Sequence, residues 1–318
     1  MFYFHTGTLE GLLIAHVDDF LWSGTEKFEG EVIDRIKNSF KISHEDANVF
    51  KYVGIEVCED SHGIYISQKA YTDELREIEI ERSQKDKDRP LDDKEKKALR
   101  SAIGQLNWLA TQTRPDLAFA VSDLGSDQKN ATVKHLIKAN KLIKRCKSNN
   151  VSLFFPKLDL QELKVRCYAD ASFGKMTDGG SQGGMFIELY SNNKTSPIAW
   201  QSKRISRFVN NTMAAETLAM AQALDAGFLI SSLLGELLYD QQKKIPVEAV
   251  TDNQALYESA HSTKSLKDRR LRMDMAIIRE YVTKEDIVMK WVPTGEQLAD
   301  ILTKEGVDDM KMLEHISS

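Results

Sequence analysis

The order of strand-like and helix-like segments after residue 150 most constrains the fold of this 318-residue chain. Three consecutive strand-like runs precede a long apolar helix over Ala214–Leu238, which is followed by a strand, a helix, a last strand and a terminal helix. The strand-like runs read "LKVRCYADAS", "GGMFIELYS", "PIAWQSKRI", "VEAVTD" and "DIVMKWVP". This order predicts an α/β (α+β) fold with a mixed sheet in residues 151–318.

The first 80 residues predict a smaller unit of strands and helices. Leu12–Ala15 and Phe20–Trp22 are predicted strands, and Asp18 and Asp19 lie in the turn between them. Glu26–Phe40 carries apolar residues at helical spacing, and the runs "YVGIEV" and "GIYISQ" predict a strand pair followed by another helix. Two adjacent carboxylates between apolar runs repel each other, and a divalent metal ion is their usual compensation.

Residues 81–150 predict a connection between these two units. The charged run "ERSQKDKDRPLDDKEKK" over 81–97 has no apolar periodicity and predicts an exposed linker. Three helices are predicted after it, over Ala98–Thr111, Leu117–Leu124 and Thr132–Cys146. Pro115 separates the first two. We therefore expect three units, 1–80, 81–150 and 151–318.

The third of these helices carries a basic face. Its basic residues recur every three or four positions, which places most of them on one side of the helix. They are Lys134, Lys138, Lys141, Lys144 and Arg145. A helix face exposed to solvent and a surface that binds nucleic-acid phosphates both have this pattern. The sequence leaves these two interpretations open.

Charge and cysteine content exclude several classes of protein. The formal net charge of −5 argues against a purely electrostatic nucleic-acid binder, but it is compatible with an enzyme whose acidic site holds metal. The three cysteines are far apart and form no CxxC pair, so neither a disulfide framework nor a zinc site is predicted. No apolar run approaches the roughly 20 residues that span a bilayer. We expect no membrane contact and an intracellular location, in the cytoplasm or the nucleus.

Four carboxylates lie at informative positions in the last unit. Asp170 and Asp252 fall in or after predicted strands, Glu216 falls near the start of the long helix, and Asp300 falls in the predicted terminal helix. A pair of hard divalent ions about 3.5–4 Å apart needs several carboxylates from different elements, which these four can supply. Asp252 is also a candidate cap for the helix that follows it.

The sequence motifs around these acids resemble those of a known family. "YADAS", "AAETLA", "TDNQAL" and "QLADILTK" resemble, in order and spacing, the RNase H domain of Ty1/copia-type retrotransposon Pol polyproteins. "LRSAIGQLNWLATQTRPDLAFAVS" is similar to the segment between polymerase and RNase H in that family. "HVDDF" resembles the polymerase signature, and "YVGIEV" with "GIYISQKAYTDELR" resembles the palm and thumb sequence after it. The resemblance covers about Leu12 to Lys304.

The resemblance implies a truncated reverse-transcriptase palm and thumb followed by an RNase H-like domain with a mixed sheet. Asp170, Glu216, Asp252 and Asp300 match the four metal-binding acids of the family, which hold two Mg²⁺ or Mn²⁺ ions and cleave the RNA strand of RNA/DNA hybrids. Candidate nucleic-acid contacts are Lys203, Lys264, Lys267, Arg269, Arg270 and Arg272. Other parts of a retrotransposon polyprotein are expected partners.

The resemblance also implies that the polymerase part is incomplete. Asp18 and Asp19 match two polymerase aspartates, but the third aspartate of that site lies on an earlier palm strand, for which the sequence before Asp18 has no room. We therefore expect no polymerase activity from this chain alone and RNA-directed DNA polymerase activity only in the full-length polyprotein. Two alternatives to the RNase H reading stay open. They are a non-catalytic remnant that binds nucleic acid or protein, and a nuclease of the same fold that acts on DNA.

Overall fold

The computed structural model describes residues 1–80, 86–176, 179–239, 244–264, 266, 268–284 and 286–318. The strands in these ranges are β1 Phe2–His5, β2 Leu9–His16, β3 Asp19–Gly24, β4 Val49–Tyr52, β5 Ile55–Glu59, β6 Gly63–Ser67, β7 Leu153–Pro156, β8 Lys164–Ser172, β9 Gln182–Ser191, β10 Lys194–Arg204, β11 Val247–Thr251 and β12 Ile287–Trp291. The α-helices are α1 Glu26–Phe28, α2 Asp34–Ser39, α3 Lys69–Glu74, α4 Asp93–Gln112, α5 Ala118–Ser126, α6 Val133–Ser148, α7 Thr212–Tyr239, α8 Gln254–Ala260, α9 Arg269–Thr283 and α10 Met310–Ser317.

The N-terminal sheet has the order β1-β2-β3 and is antiparallel throughout. Phe28 is 1% exposed and packs against this sheet at two glycines. A Cβ on Gly11 or on Gly24 would lie 2.2 or 2.4 Å from the Phe28 ring, so only glycine lets the ring lie this close. The predicted helix over Glu26–Phe40 is interrupted, because a π-helical segment, Glu29–Ile33, joins α1 to α2.

The next sheet has the order β4-β5-β6-β7. The prediction of one strand for "YVGIEV" was wrong, because a turn with positive φ at Val53 and Gly54 separates β4 from β5. Strand β7 pairs with β6 although about 90 residues separate them in sequence. The proposed unit boundaries at 80 and 150 stay a prediction.

The first of the three middle helices begins earlier than predicted, at Asp93 instead of Ala98. Asp92 accepts a hydrogen bond from the Glu95 amide, and the Glu95 side chain accepts one from the Asp92 amide. This reciprocal capping box starts α4 at Asp93, inside the segment that the sequence predicted as a linker. Residues 81–85 of that predicted linker lie outside the described residues.

The basic face of α6 is largely paired with acids from other segments. Lys138 lies 2.5 Å from Asp123 on α5, and Arg145 lies 3.2 Å from Asp116. Further pairs are Lys134 with Asp88, Lys144 with Glu77, Lys138 with Glu305 and Arg145 with Asp309. Most of these basic side chains therefore form ion pairs between α6 and neighbouring segments. This pairing does not favour the hypothesis that α6 binds nucleic-acid phosphates.

The five-stranded sheet has the order β10-β9-β8-β11-β12. Strands β8, β9 and β10 are antiparallel neighbours, whereas β11 runs parallel to both β8 and β12, so the predicted mixed sheet is confirmed. Helix α7 packs on one face of this sheet. At Gly227 a Cβ would lie 2.4 Å from Cys167 Sγ, so glycine lets the helix approach β8 closely.

Helix α7 is also long and apolar enough to cross a membrane, judged by its length of 28 residues and its composition alone. The expectation was that no apolar run approaches the length of a bilayer span, and this helix is one weak candidate. Residues along one side of α7, such as Met220, Ala223 and Leu224, are buried in the core beneath the sheet. The core helix of a domain in water passes the same test, so this property is weak support for a membrane span.

The prediction that Asp300 lies in a terminal α-helix was wrong. The segment "TGEQLADIL" instead forms two 3₁₀ turns, Thr294–Glu296 and Leu298–Leu302, and the last α-helix is α10. The side chain of Gln297 accepts a hydrogen bond from the Ala299 amide and donates one to the Ala169 carbonyl. These bonds tie the 3₁₀ segment to β8.

Candidate metal centre

Three carboxylates from three elements meet at one edge of the five-stranded sheet. Asp170 is near the end of β8, Asp252 directly follows β11, and Glu216 is in the second turn of α7. Their nearest oxygens all lie within 4.8 Å of one another. In the part of the chain that the structure describes, they form the one group of three or more acidic, histidine or cysteine side chains this close together.

The sheet register explains why Asp170 and Asp252 meet. Strands β8 and β11 are parallel, and Tyr168 lies opposite Val250. Asp170 and Asp252, each two residues further along the chain, therefore emerge on the same face at the same level. Asp252 does not cap α8, because the side chain of Asn253 accepts the hydrogen bond from the Leu256 amide, so the capping alternative was wrong.

A glycine makes room for the fourth acid. Gly184 on β9 lies opposite Asp170, and a Cβ there would lie 2.7 Å from Leu302 Cβ and 2.8 Å from Thr303 Cγ2. The 3₁₀ segment that carries Asp300 can therefore lie directly over the sheet beside Asp170. Asp300 is 9% exposed.

Asp300 contacts the cluster through a lysine. Lys304 Nζ lies 2.6 Å from Asp300 Oδ1 and 3.5 Å from Asp170 Oδ1. The Thr303 hydroxyl donates a hydrogen bond to Asp170 Oδ2. Sequence reasoning missed both residues, although they stand in the motif "QLADILTK". The spacing of four residues between Asp300 and Lys304 was the available signal.

Burial and like charges make this cluster electrostatically costly without a cation. Burial, and then the nearby Asp170 and Asp252 carboxylates, raise the pKa of Glu216 to about 9. Burial raises the pKa of Asp300 to about 6, against the opposing effect of its hydrogen bond from Lys304. Burial disfavours the charged form of Lys304, but the Asp170 and Asp300 carboxylates outweigh it and raise the pKa of this amine. In the absence of ions, the single positive charge of Lys304 therefore does not compensate all four carboxylates.

The donor set fits a hard divalent ion. Glu216 is 4% exposed, and among the described residues its Oε2 has no hydrogen-bond partner. A buried carboxylate oxygen without a partner is rare in a folded protein, and an ion is one of the few groups that would satisfy it. Carboxylate oxygens are the ligands that Mg²⁺ and Mn²⁺ prefer.

The predicted nucleic-acid contacts are spread over the surface of residues 151–318, which also contain the acidic cluster. Lys203 is exposed near the end of β10, and Lys264 is exposed before α9. Arg269, Arg270 and Arg272 are exposed in the first turn of α9. Lys267 lies outside the described residues.

The start of α9 lies beside the segment that leads into α7. Asn210 donates a hydrogen bond to Asp268, 2.7 Å away, which joins the two segments. A cleft of about 300 Å³ separates them, and Arg269 and Arg270 line it together with Phe208. The basic first turn of α9 therefore faces the helix that carries Glu216.

The aspartates of the N-terminal unit are placed differently. Asp18 and Asp19 are exposed at the turn between β2 and β3. They line an open cleft of about 560 Å³ that also contains Lys37 and Lys41. Within the described ranges, neither aspartate belongs to a group of three converging acids.

In sequence, the chain is similar to the retrovirus-related Pol polyproteins of transposons. The chain is 27% identical over 307 residues to the polyprotein of transposon RE2 and 27% identical over 308 residues to that of transposon RE1, both from Arabidopsis thaliana. Each match covers 92% of this chain and 20% of the polyprotein, so the chain spans about a fifth of the length of these relatives. A transposon Ty5-1 protein of Saccharomyces cerevisiae is 24% identical over 209 residues, covering 61% of this chain and 66% of that protein. No family model matches the chain.

A solved structure shares the fold of nearly the whole chain. The foamy viral protease-reverse transcriptase, solved in complex with RNA/DNA hybrid, matches 93% of this chain and 37% of its own chain with a TM-score of 0.54 at 15% identity. RNase H1 from Halobacterium salinarum matches 46% of this chain and 98% of its own, with a TM-score of 0.33 at 24% identity. The resemblance to retrotransposon Pol polyproteins and the predicted fold class are confirmed.

Proposed function

We propose that this chain is a ribonuclease H that cleaves the RNA strand of RNA/DNA hybrids with two divalent ions, Mg²⁺ or Mn²⁺. The observation that carries the proposal is the buried cluster of Asp170, Glu216 and Asp252, in which Glu216 Oε2 finds no partner among the described residues. The relationship to transposon Pol polyproteins supports it.

Each acid has a distinct part in the proposed reaction. Asp170, Glu216 and Asp252 lie within 4.8 Å of one another and would hold the ions, whereas Asp300 is joined to Asp170 through Lys304 and would add a further ligand beside them. Bound ions would supply Lewis acidity, which activates water on one side of the scissile phosphate and stabilises the leaving 3′ oxygen on the other. Lys304 holds Asp300 next to Asp170 and keeps a positive charge at the site.

The proposed substrate is bound through phosphates and through 2′-hydroxyl groups of one strand. Lys203, Lys264, Lys267, Arg269, Arg270 and Arg272 are the proposed phosphate contacts. The 2′-hydroxyl groups of the RNA strand distinguish a hybrid from duplex DNA. Other parts of a retrotransposon polyprotein stay proposed partners, and an intracellular location stays a prediction.

An RNA/DNA hybrid, labelled on its RNA strand or on its DNA strand, and a labelled DNA duplex of the same sequence test this proposal. With Mg²⁺, the purified chain is expected to cut the RNA strand of the RNA/DNA hybrid and to leave both the DNA strand and a DNA duplex intact. Cleavage of the DNA duplex would instead favour a DNA nuclease of the same fold. Binding of the hybrid without cleavage would favour the non-catalytic remnant.

Substitution of the basic first turn of α9 is expected to weaken hybrid binding. Replacing Arg269 and Arg270 with Gln should make the negative slope of log K against log [salt] shallower, by about one for each lost phosphate contact. The matched control replaces Lys141 and Lys147, two exposed lysines on α6, with Gln. Fluorescence anisotropy with labelled hybrid at several salt concentrations measures both slopes. Equal slopes for the two variants would remove the α9 residues from the proposed contact surface.

Primer extension on an RNA template is expected to stay at background level. Asp18 and Asp19 are exposed, and in the described part of the chain no third acid converges with them, so two ions cannot be held in the polymerase geometry. Incorporation of labelled nucleotides that disappears in an Asp18→Asn variant would overturn this prediction.

A further inference from the structure

We propose that Trp291 is a positioning residue for Asp252, acting through a hydrogen bond from its indole to the Asp252 main chain. Trp291 Nε1 donates to the Asp252 carbonyl oxygen over 2.9 Å. The inference rests on the proposed function only in its assignment of Asp252 as a metal ligand.

The sheet places the indole next to this carbonyl. Strand β12 is parallel to β11, and its last residue, Trp291, lies opposite Thr251, the last residue of β11. The Val292 amide donates to the Thr251 carbonyl over 3.0 Å, so the pairing continues to the point where β11 ends. Asp252 is the first residue after that end.

Asp252 is therefore held by bonds on both sides of its peptide group. On the side that follows, the Asn253 amide donates to the Thr251 hydroxyl over 3.1 Å, and the Asn253 side chain caps α8. The indole of Trp291 fixes the direction of the Asp252 carbonyl. Because the carbonyl and the side chain share one Cα, this restrains the direction in which the carboxylate points towards Asp170 and Glu216.

The residue type supports this role. Trp291 stands on the outer strand of the sheet and is 48% exposed, so burial alone gives little reason for a large aromatic side chain there. Among the aromatic residues, tryptophan combines a flat ring with an N–H donor far from the backbone. Phenylalanine keeps most of the ring and lacks the donor, which makes it the informative replacement.

The test measures Mn²⁺ affinity without nucleic acid, by isothermal titration calorimetry of the full chain. The variant Trp291→Phe is compared with a matched control, Trp200→Phe, because Trp200 Nε1 also donates to a main-chain carbonyl, that of Ala110, over 2.6 Å. Trp291→Phe is expected to bind Mn²⁺ about tenfold more weakly than the wild type, as losses of bonds that orient metal ligands do. Trp200→Phe should stay within about twofold of the wild type, because its bond does not touch the cluster.

The outcomes separate this inference from the proposed function. Equal Mn²⁺ affinities for Trp291→Phe and the wild type, or equal losses in both variants, would overturn the positioning role. An absence of Mn²⁺ binding by the wild type would overturn it as well. A loss of Mn²⁺ affinity in Trp291→Phe but not in Trp200→Phe would support the positioning role, whether or not the wild type cuts the hybrid. Failure of the wild type to cut the hybrid would count against the proposed function alone.

Discussion

Replacing Glu216 with glutamine is expected to stabilise the metal-free chain at alkaline pH and to remove most of the hybrid cleavage. Burial raises the pKa of Glu216 from its ordinary value of 4.5 to about 9. A carboxyl group with a raised pKa in the folded state stabilises the fold fully below its ordinary pKa, and that contribution is lost as the pH rises through the folded value. The wild type should therefore lose stability between pH 4.5 and about 9.

Glutamine is neutral over that whole range, so the variant should escape this loss. At pH 9 without divalent ions, Glu216→Gln should melt about 2–4 °C above the wild type, which corresponds to about 1 kcal/mol. Added Mg²⁺ should raise the melting temperature of the wild type but not that of the variant, because a carboxylate ligand is lost. Cleavage should fall on the order of 10³-fold, since about 4 kcal/mol of transition-state stabilisation is removed.

A glutamate at the far end of the same helix provides the control. Glu236 accepts a hydrogen bond from the Tyr3 hydroxyl, which a glutamine can also accept. Glu236→Gln should therefore keep the wild-type pH profile, Mg²⁺ response and cleavage rate. A Glu216→Gln variant that still responds to Mg²⁺ would remove Glu216 from the metal site.

Replacing Arg114 with methionine is expected to cost about 3–5 kcal/mol of unfolding free energy, because it leaves a buried carboxylate without its main partner. Arg114 and Asp116, in the sequence "TRPD", are each 3% exposed. The guanidinium Nε and Nη2 lie 2.8 and 2.9 Å from the two Asp116 oxygens. Arg145 also contacts Asp116, over 3.2 Å, and reaches Asp309 before α10.

Urea unfolding of a single and a double variant measures the effect. Arg114→Met with Asp116→Leu removes both charges and should be more stable than Arg114→Met alone, because no uncompensated buried charge remains. Arg145 keeps its pair with Asp309 in both variants. If the single variant lost less than the double variant, the ion pair would not be the source of the stability.

The sequence predicted the parts of the fold that depend on regular spacing. The five long strand runs, helix α7 and the mixed sheet could be predicted because apolar alternation and helical spacing extend over many residues there. The placement of Asp170 and Asp252 side by side follows from the same strand pattern, since their strands are parallel neighbours.

The elements that the sequence missed depend on partners far along the chain. Strand β7 has four residues and no period long enough to identify it, and its pairing with β6 decides its structure. The charges on α6 look alike in sequence, and only the fold shows that Lys144 meets Glu77 and Arg145 meets Asp309.

The segment around Asp300 shows tertiary contacts that override local preference. "EQLADILTK" has the composition of an α-helix, which is the basis of the wrong prediction. The structure instead holds it in 3₁₀ turns, where Gln297 bonds to β8 and Leu302 packs against Gly184. Lys304 thereby comes to lie between Asp300 and Asp170, a contact that no local pattern specifies.

Cleavage of an RNA/DNA hybrid labelled on its RNA strand, by the purified chain with Mg²⁺ and beside an Asp252→Asn variant, tests the central claim most directly. Asparagine keeps the size of the side chain and its place after β11 but removes the negative charge that an ion needs. The wild type is expected to cut the RNA strand, and the variant is expected to fold and bind the hybrid without cutting it. Equal cleavage by both proteins, or none by either while both fold and bind, would contradict the assignment of this acidic cluster as a ribonuclease H centre.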